Sequence, residues 1–238
     1  MQNLVILTGA GISAESGLGT FRDKDGIWTK YPLEDLATPE GFLRDPDFVH
    51  GFYNERRLQL KTAQPHKGHL ALARLEEAVL ADGNSFTLVT QNVDNLHEKA
   101  GSGRDNLIHM HGELLKIRCE FCGDVTEFIG ALSVKTMCSQ CQKVSGLRPH
   151  IVWFGEMPLE MDRIETRLAA CDMFISIGTS GDVYPAAGFV NIANQLGART
   201  VELNLEPSSN AHTFSYAQYG LASEIVPAFV EAMLSPST

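Results

Sequence analysis

The chain has 238 residues, enough for one sizeable core with a smaller module attached. Its formal charge of −10, from 29 acidic against 19 basic residues, excludes a protein that holds nucleic acid by neutralising phosphates. No run reaches the roughly 18 apolar residues of a membrane span, and the start MQNLVILTGAG lacks the basic segment of a secretory signal, so the expected compartment is the cytoplasm.

The first apolar run, LVILT (4–8), reads as a strand and leads into TGAGISA. Gly9, Gly11 and Ala14 fit the G-x-G-x-x-G/A pattern that turns a strand tightly into a helix and lets backbone amides approach a pyrophosphate. A redox dinucleotide fold should then show a second strand ending in an acidic residue about 20 positions on. Glu34 and Asp35 stand near that distance, but no strand leads into them. The phosphate cradle is present without its usual dehydrogenase partner.

Residues 25–68 interrupt the strand pattern, with DFVHGFYNERRLQLK reading as an amphipathic helix that opens after Pro46. Tyr53 and Arg56 stand three apart and share one face of it. Arg57 and Lys61 show that basic residues are common here, so the plain reading is a half-buried Tyr53 and a solvated Arg56.

Further runs with strand character are FTLVT (86–90), HIVWF (150–154), MFISIGT (173–179) and RTVELN (199–204). Three of the runs end in polar, glycine-containing loops: TGAGIS, TQNVDN and GTSGD. Near-continuous apolar strands alternating with helices predict an α/β fold, a Rossmann-like parallel sheet with helices on both faces. In such a sheet ligands bind beyond the carboxyl ends of the strands, where these loops converge.

CEFC (119–122) and CSQC (138–141) are separated by 15 residues, the spacing of a zinc ribbon. Cys119, Cys122, Cys138 and Cys141 complete a tetrahedron and leave no position for water, so this zinc is expected to be structural. Paired thiolates also point to a reducing compartment. Cys171, at the edge of an apolar run, reads as a small buried hydrophobe. No H-E-x-x-H supplies a catalytic metal and no G-x-S-x-G supplies a serine nucleophile. In NLIHMHGELL the spacing alone does not choose between His109 and His111 as an acid or base. The two insertions together predict a small domain, helical over 25–68 and a zinc ribbon over 113–148. The Rossmann-like part then comprises 1–24, 69–112 and 149–238.

Taken in order, GAGIS (9–13), SGLGTFR (16–22), TQNVD (90–94), HG (111–112), the two C-x-x-C pairs, VWFGE (152–156), IGTS (177–180) and NLE (204–206) resemble the sirtuins. These are the NAD-dependent protein deacylases, and the resemblance covers essentially the whole chain. One departure is Gly19-Thr20 before Phe21-Arg22, where many members carry Pro-Asp.

The resemblance implies that NAD is a co-substrate, its bond to nicotinamide broken by the carbonyl oxygen of an acyl-lysine on a protein or peptide. It implies an alkylimidate, attacked by a ribose hydroxyl with His111 as general base, and a catalytic Asn92 that would hold the nicotinamide-side ribose together with Gln91. The products implied are free lysine, nicotinamide and O-acyl-ADP-ribose. NAD would be lined by Gly9, Ala10, Gly11, Ile12, Ser13, Phe21, Arg22, Trp28, Gln91, Asn92, Val93 and Asp94 on one side. Gly178, Thr179, Ser180, Asn204, Leu205, Glu206 and Ala222 would surround its phosphates and adenosine. Val152, Trp153, Phe154, Gly155 and Glu156 would take the substrate peptide as an added strand. Tyr53 and Arg56 match the Tyr-x-x-Arg of sirtuins that remove succinyl, malonyl or glutaryl groups, where an Arg fork can take a carboxylate. The competing readings are an NAD-dependent ADP-ribosyltransferase and a non-catalytic NAD or ADP-ribose binding module. A monomer is expected.

Overall fold

The computed structural model describes residues 2–19 and 32–235. Phe21, Arg22 and Trp28 lie outside the described residues. Nine strands follow in chain order among them: β1 (Leu4–Thr8), β2 (Phe86–Thr90), β3 (Leu107–His109), β4 (Gly112–Cys119), β5 (Val125–Glu127), β6 (Leu147–Ile151), β7 (Met173–Ile177), β8 (Arg199–Asn204) and β9 (Tyr216–Tyr219).

Six of them form one sheet in the order β3-β2-β1-β7-β8-β9, every pair parallel. This is the doubly wound 3-2-1-4-5-6 order, and its direction reverses between β1 and β7. Side chains alternate across the sheet: Leu4 and Ile6 of β1 pack with the helices Lys67–Ala81 and Ala222–Leu234, and Val5 and Leu7 with Met161–Ala169 and Phe189–Gln195. Cys171 is buried in the second of these clusters, as a small hydrophobe.

The remaining strands form an antiparallel sheet, β5-β4-β6, that carries the cysteines. The helix Pro46–Thr62 lies against it. Asp45 caps that helix, its Oδ1 accepting from Phe48 N at 3.0 Å, and Pro46 occupies the first turn, where no amide hydrogen is needed. Its apolar side, with Val49, Phe52, Tyr53 and Leu60, shares a cluster with Leu114 of β4, Ile151 of β6 and Trp153.

Several expectations are corrected. The run 150–154 is not a strand of the parallel sheet; the ladder covers 147–151 in the antiparallel sheet, and Val152 to Phe154 lie beyond it. The helix after the glycine loop is a single turn, Ala10–Ser13, followed by a 3-10 turn that ends at Gly17. Arg57 is 1 % exposed, its Nε donating to Leu114 O at 2.9 Å and its Nη1 to Asn54 Oδ1 at 2.8 Å. Asn54 in turn bonds Leu132 through both backbone groups, so this pair fastens the helix to the cysteine-bearing segment. Glu34 and Asp35 sit in a short helix, Leu33–Leu36, and not at the end of a strand, and Asp35 pairs with Arg44. Among the described residues no helix is long and apolar enough to cross a membrane.

Candidate active site

The loops after β1 and β7 meet where the sheet order reverses. Gly11 N donates to Gly178 O at 2.9 Å, and Gly9 N to Ile177 O at 3.0 Å. A Cβ on Gly11 would stand 2.7 Å from Gly178 Cα, and Gly178 has φ +64°, so this crossing requires glycine on both chains. Asn204, at the end of β8, donates to Thr179 O at 2.7 Å and ties the third loop to the second.

The loop after β2 is bound into the same junction. Gln91 N donates to Thr8 O, and Asn92 Nδ2 donates to Gly9 O at 3.0 Å and to Ser13 Oγ at 3.1 Å. Ser13 Oγ donates to Asp94 Oδ2 at 2.9 Å, and Leu96 N to Asp94 Oδ1. Burial outweighs these bonds and raises the Asp94 pKa. Behind this network the buried Thr8 and Thr90 hydroxyls join at 2.9 Å, with His97 Nε2 on Thr8 and Asn92 N on Thr90.

His111 precedes β4 on the cavity wall. Its Nδ1 lies 3.1 Å from Gln91 O. A carbonyl only accepts, so the proton is on Nδ1 and Nε2 keeps its lone pair as a base. Burial lowers the His111 pKa, partly offset by that carbonyl. His109 differs: burial opposes its charge, but Glu98 at 2.9 Å prevails and raises its pKa, making it half of an ion pair. The structure thus separates the two histidines that spacing leaves equivalent. Gly112 follows with φ +83°, and a Cβ there would fall 2.1 Å from His150 O, so only glycine lets β4 begin beside β6.

These elements enclose a cavity of about 860 Å³. Of the sequence-predicted residues, Gly9, Ala10, Gly11, Gln91, Asn92, Val93, His111, Gly178, Thr179, Ser180, Asn204, Leu205, Glu206 and Ala222 line it, with Tyr53 and residues 152–156. Ser13, Asp94 and Arg56 line a smaller recess that also reaches Ala10 and Asn92. Ile12 does not face the cavity: it is fully buried in the core, and its carbonyl meets His66 Nε2 at 2.6 Å. Glu156, on the cavity wall, is ion-paired with Arg148 and Arg118 and accepts from Trp153 N. The N–H groups of Val152 and Phe154 donate to His111 O and Ala37 O, so these donors are already spent inside the chain.

Sequence reasoning misses Glu15, Asp182, Val183 and Tyr184 on the cavity wall. Asp182 closes the GTSGD loop and Val183 and Tyr184 continue from it, and the loop's position beyond a parallel strand is the available signal.

Tyr53 is buried, and burial pushes its pKa up to about 12. Arg56, one turn on, has its pKa lowered by burial, while Tyr53 and Asp94 favour its charge.

The four ribbon cysteines lie within 4.8 Å of one another, with Cys119–Cys141 at 3.7 Å and Cys122–Cys138 at 3.8 Å. A tetrahedral zinc with bonds of about 2.3 Å to sulfur requires sulfur separations of about 3.8 Å, so the four could bind a structural zinc.

Comparison with known proteins agrees with this geometry. Residues 9–185 match the model of the Sir2 family. An NAD-dependent protein deacylase of Caulobacter vibrioides is 55 % identical over 99 % of this chain and 98 % of its own length. One of Escherichia coli is 57 % identical over 97 % of this chain and 82 % of its own. A solved Sir2 homologue in complex with NAD superposes with a TM-score of 0.86 at 40 % identity, over 97 % of this chain and 88 % of that one. The chain belongs to the Sir2 family.

Proposed function

We propose that the protein is an NAD-dependent protein-lysine deacylase, with NAD consumed as a co-substrate and His111 as the general base. The observation that carries this is the state of His111, neutral by burial, with Nδ1–H held by Gln91 O and Nε2 presented to the cavity that the glycine loops share. In the reaction the acyl carbonyl oxygen bonds to the ribose carbon as nicotinamide leaves with the electron pair of the broken bond. His111 Nε2 then accepts the proton of the ribose hydroxyl that attacks the resulting imidate. The hydrogen bonds of Asn92 and Asp94 to Ser13 and to the glycine loop pre-set the floor on which the nicotinamide end would rest.

Gly178 to Ser180 and Asn204 to Glu206 fit the phosphates and adenosine ribose, at the point where such sheets bind dinucleotides. The peptide would lie along 152–155. The Val152 and Phe154 amides and the Trp153 carbonyl are engaged within the chain, so these are not the groups that would pair with it. Tyr53 and Arg56 suit an acyl chain ending in a carboxylate, so succinyl and malonyl groups are read as substrates beside acetyl. The two sheets support a division into a Rossmann-like part and a small domain, although β4 begins at Gly112 and β6 runs to Ile151, past the expected limits of 113 and 148. A cytoplasmic, monomeric enzyme completes the reading.

The test incubates the protein with matched acetyl-lysine and succinyl-lysine peptides, with and without NAD, following peptide mass, nicotinamide and O-acyl-ADP-ribose. NAD-dependent loss of an acyl group is expected, and His111→Tyr should lower it at least about 100-fold. Adenosine label retained on protein without acyl product would replace this reading by ADP-ribosyl transfer. NAD binding without turnover would replace it by a binding module.

A further inference from the structure

The hydroxyl of Tyr53 is held by a partner that the acyl reading does not use. Trp153 Nε1 donates to Tyr53 Oη at 2.9 Å. An indole N–H is a donor only, so this bond occupies a lone pair of the phenol and leaves its proton as the free handle. That proton goes to Leu36 O at 3.3 Å, at the long end for an O–H donor.

Trp153 is fixed from several sides. It is 2 % exposed, and the Arg148 guanidinium lies 3.3 Å from its ring centroid. Its backbone N–H donates to Glu156 Oε2 at 2.8 Å, and Arg148 grips both oxygens of that carboxylate at 2.7 and 2.9 Å. Phe42 closes on the indole at 5.2 Å between centroids. Turning the indole away would break this assembly, which holds its N–H toward Tyr53.

We propose that Trp153 is a specificity-determining positioning residue, whose indole N–H commits the Tyr53 hydroxyl to donate toward a carboxylate at the end of the acyl chain. The proposal rests on the acid-acyl reading of Tyr53 and Arg56. A phenol with both lone pairs available serves donors and acceptors alike. With one lone pair taken and only a long bond to Leu36 competing for the proton, the hydroxyl favours an acceptor, and a carboxylate is the strongest one an acyl chain can bring. An acetyl group ends in a methyl and gains nothing from this arrangement. With the pKa raised by burial, the proton stays on the oxygen through neutral and alkaline pH.

The test measures kcat and KM on matched succinyl-lysine and acetyl-lysine peptides for the wild type, Trp153→Phe, Tyr53→Phe and the double variant. Trp153→Phe keeps an aromatic ring beneath Arg148 and deletes the N–H. It should lower the succinyl-to-acetyl ratio of kcat/KM several-fold, up to about tenfold, mainly through the succinyl KM, because the Tyr53 hydroxyl is then no longer committed to its bond with the charged carboxylate. The double variant should match Tyr53→Phe alone, because the N–H acts only through the hydroxyl. Both peptides are read on one preparation, so a partial loss of folded enzyme cancels from the ratio. If Trp153→Phe does not fold, benzothienylalanine at position 153 keeps the bicyclic shape, replaces N–H by sulfur, and should give the same fall.

An equal fall on both peptides, or a further fall in the ratio beyond Tyr53→Phe, would overturn the role of Trp153. A ratio left unchanged by Tyr53→Phe and by Arg56→Met would overturn the acid-acyl reading itself.

Discussion

At the scale of single residues, the proposed function turns on which nitrogen of which histidine can act as a base. On the proposed reading His111 accepts the proton and must be neutral to do so, so activity should fall as pH drops through its pKa. Burial places that pKa below the ordinary 6.5, while the bond to Gln91 O limits the shift. The pH profile of kcat/KM should therefore be flat through neutrality, with the midpoint of its acid limb below pH 6.5. A midpoint above pH 7 would assign the limb to another group, His109 first, since Glu98 raises its pKa. The sequence HMH shows neither partner: one is a carboxylate from the helix Leu96–Ala100, the other the carbonyl of Gln91 after β2. Gly9 and Gly11 are legible as a turn, but the close approach that requires Gly11 lies across the sheet at Gly178 and has no trace in either segment. Tyr53 is visible by its spacing from Arg56, whereas its bond to Trp153 joins residues 100 positions apart.

At the scale of elements, the central strands are legible because both faces are buried, which writes them as unbroken apolar runs. β1, β2 and β8 fall where their sequences place them. The sheet's edges are not legible: β3 has three residues, and β9 reads YAQY with its ends exposed, so neither carries an apolar run. β6 is displaced for a different reason. Val152 and Trp153 are apolar because they pack near Tyr53 and the cavity, and apolarity alone does not distinguish that from a ladder.

The ribbon's pattern is legible through its cysteine spacing, and its mechanical consequence follows from β4 and β6. β4 runs from Gly112, next to His111, to Cys119, and β6 from Leu147 to Ile151, next to Val152. The cluster under the ribbon is small, with Ile117, Leu132 and Leu147 as its buried aliphatic members, so a bound ion would supply much of its stability. Cys138→Ser or prolonged chelation should remove about one zinc per chain, lower the Tm, and reduce turnover as the strands framing His111 loosen. Metal analysis beside thermal unfolding checks this. Unchanged Tm and activity in metal-free protein would show that the ribbon holds without an ion.

At the scale of the whole molecule, buried neutral histidines couple the fold to acid. His50 is 2 % exposed with both ring nitrogens unpartnered, and burial, aided by Arg57, lowers its pKa to about 4. His69 is lowered to about 3 by burial and His66, and His97 well below the ordinary value by burial. These three are legible as histidines, yet nothing in their sequence neighbourhoods says that they are enclosed. The unfolded chain takes up their protons near pH 6.5, while the folded chain resists until far lower pH. Stability is therefore fully present above pH 6.5 and is lost as pH falls, each histidine adding a slope of about 1.4 kcal/mol per pH unit. Depressed carboxylate pKa values at Glu98 and Glu156 carry the same sign at lower pH. His109, held charged by Glu98, carries the opposite sign, but only as pH rises through its own raised pKa. Because a domain's whole stability is of order 5–15 kcal/mol, three such slopes consume much of it by about pH 5. The Tm should stay near its maximum at neutral pH and fall by more than about 10 °C between pH 7 and pH 5. His50→Phe, which removes a titrating ring from an apolar site beside Phe42, should flatten that fall. A Tm constant down to pH 4.5 would mean that these rings already share protons with water in the folded state.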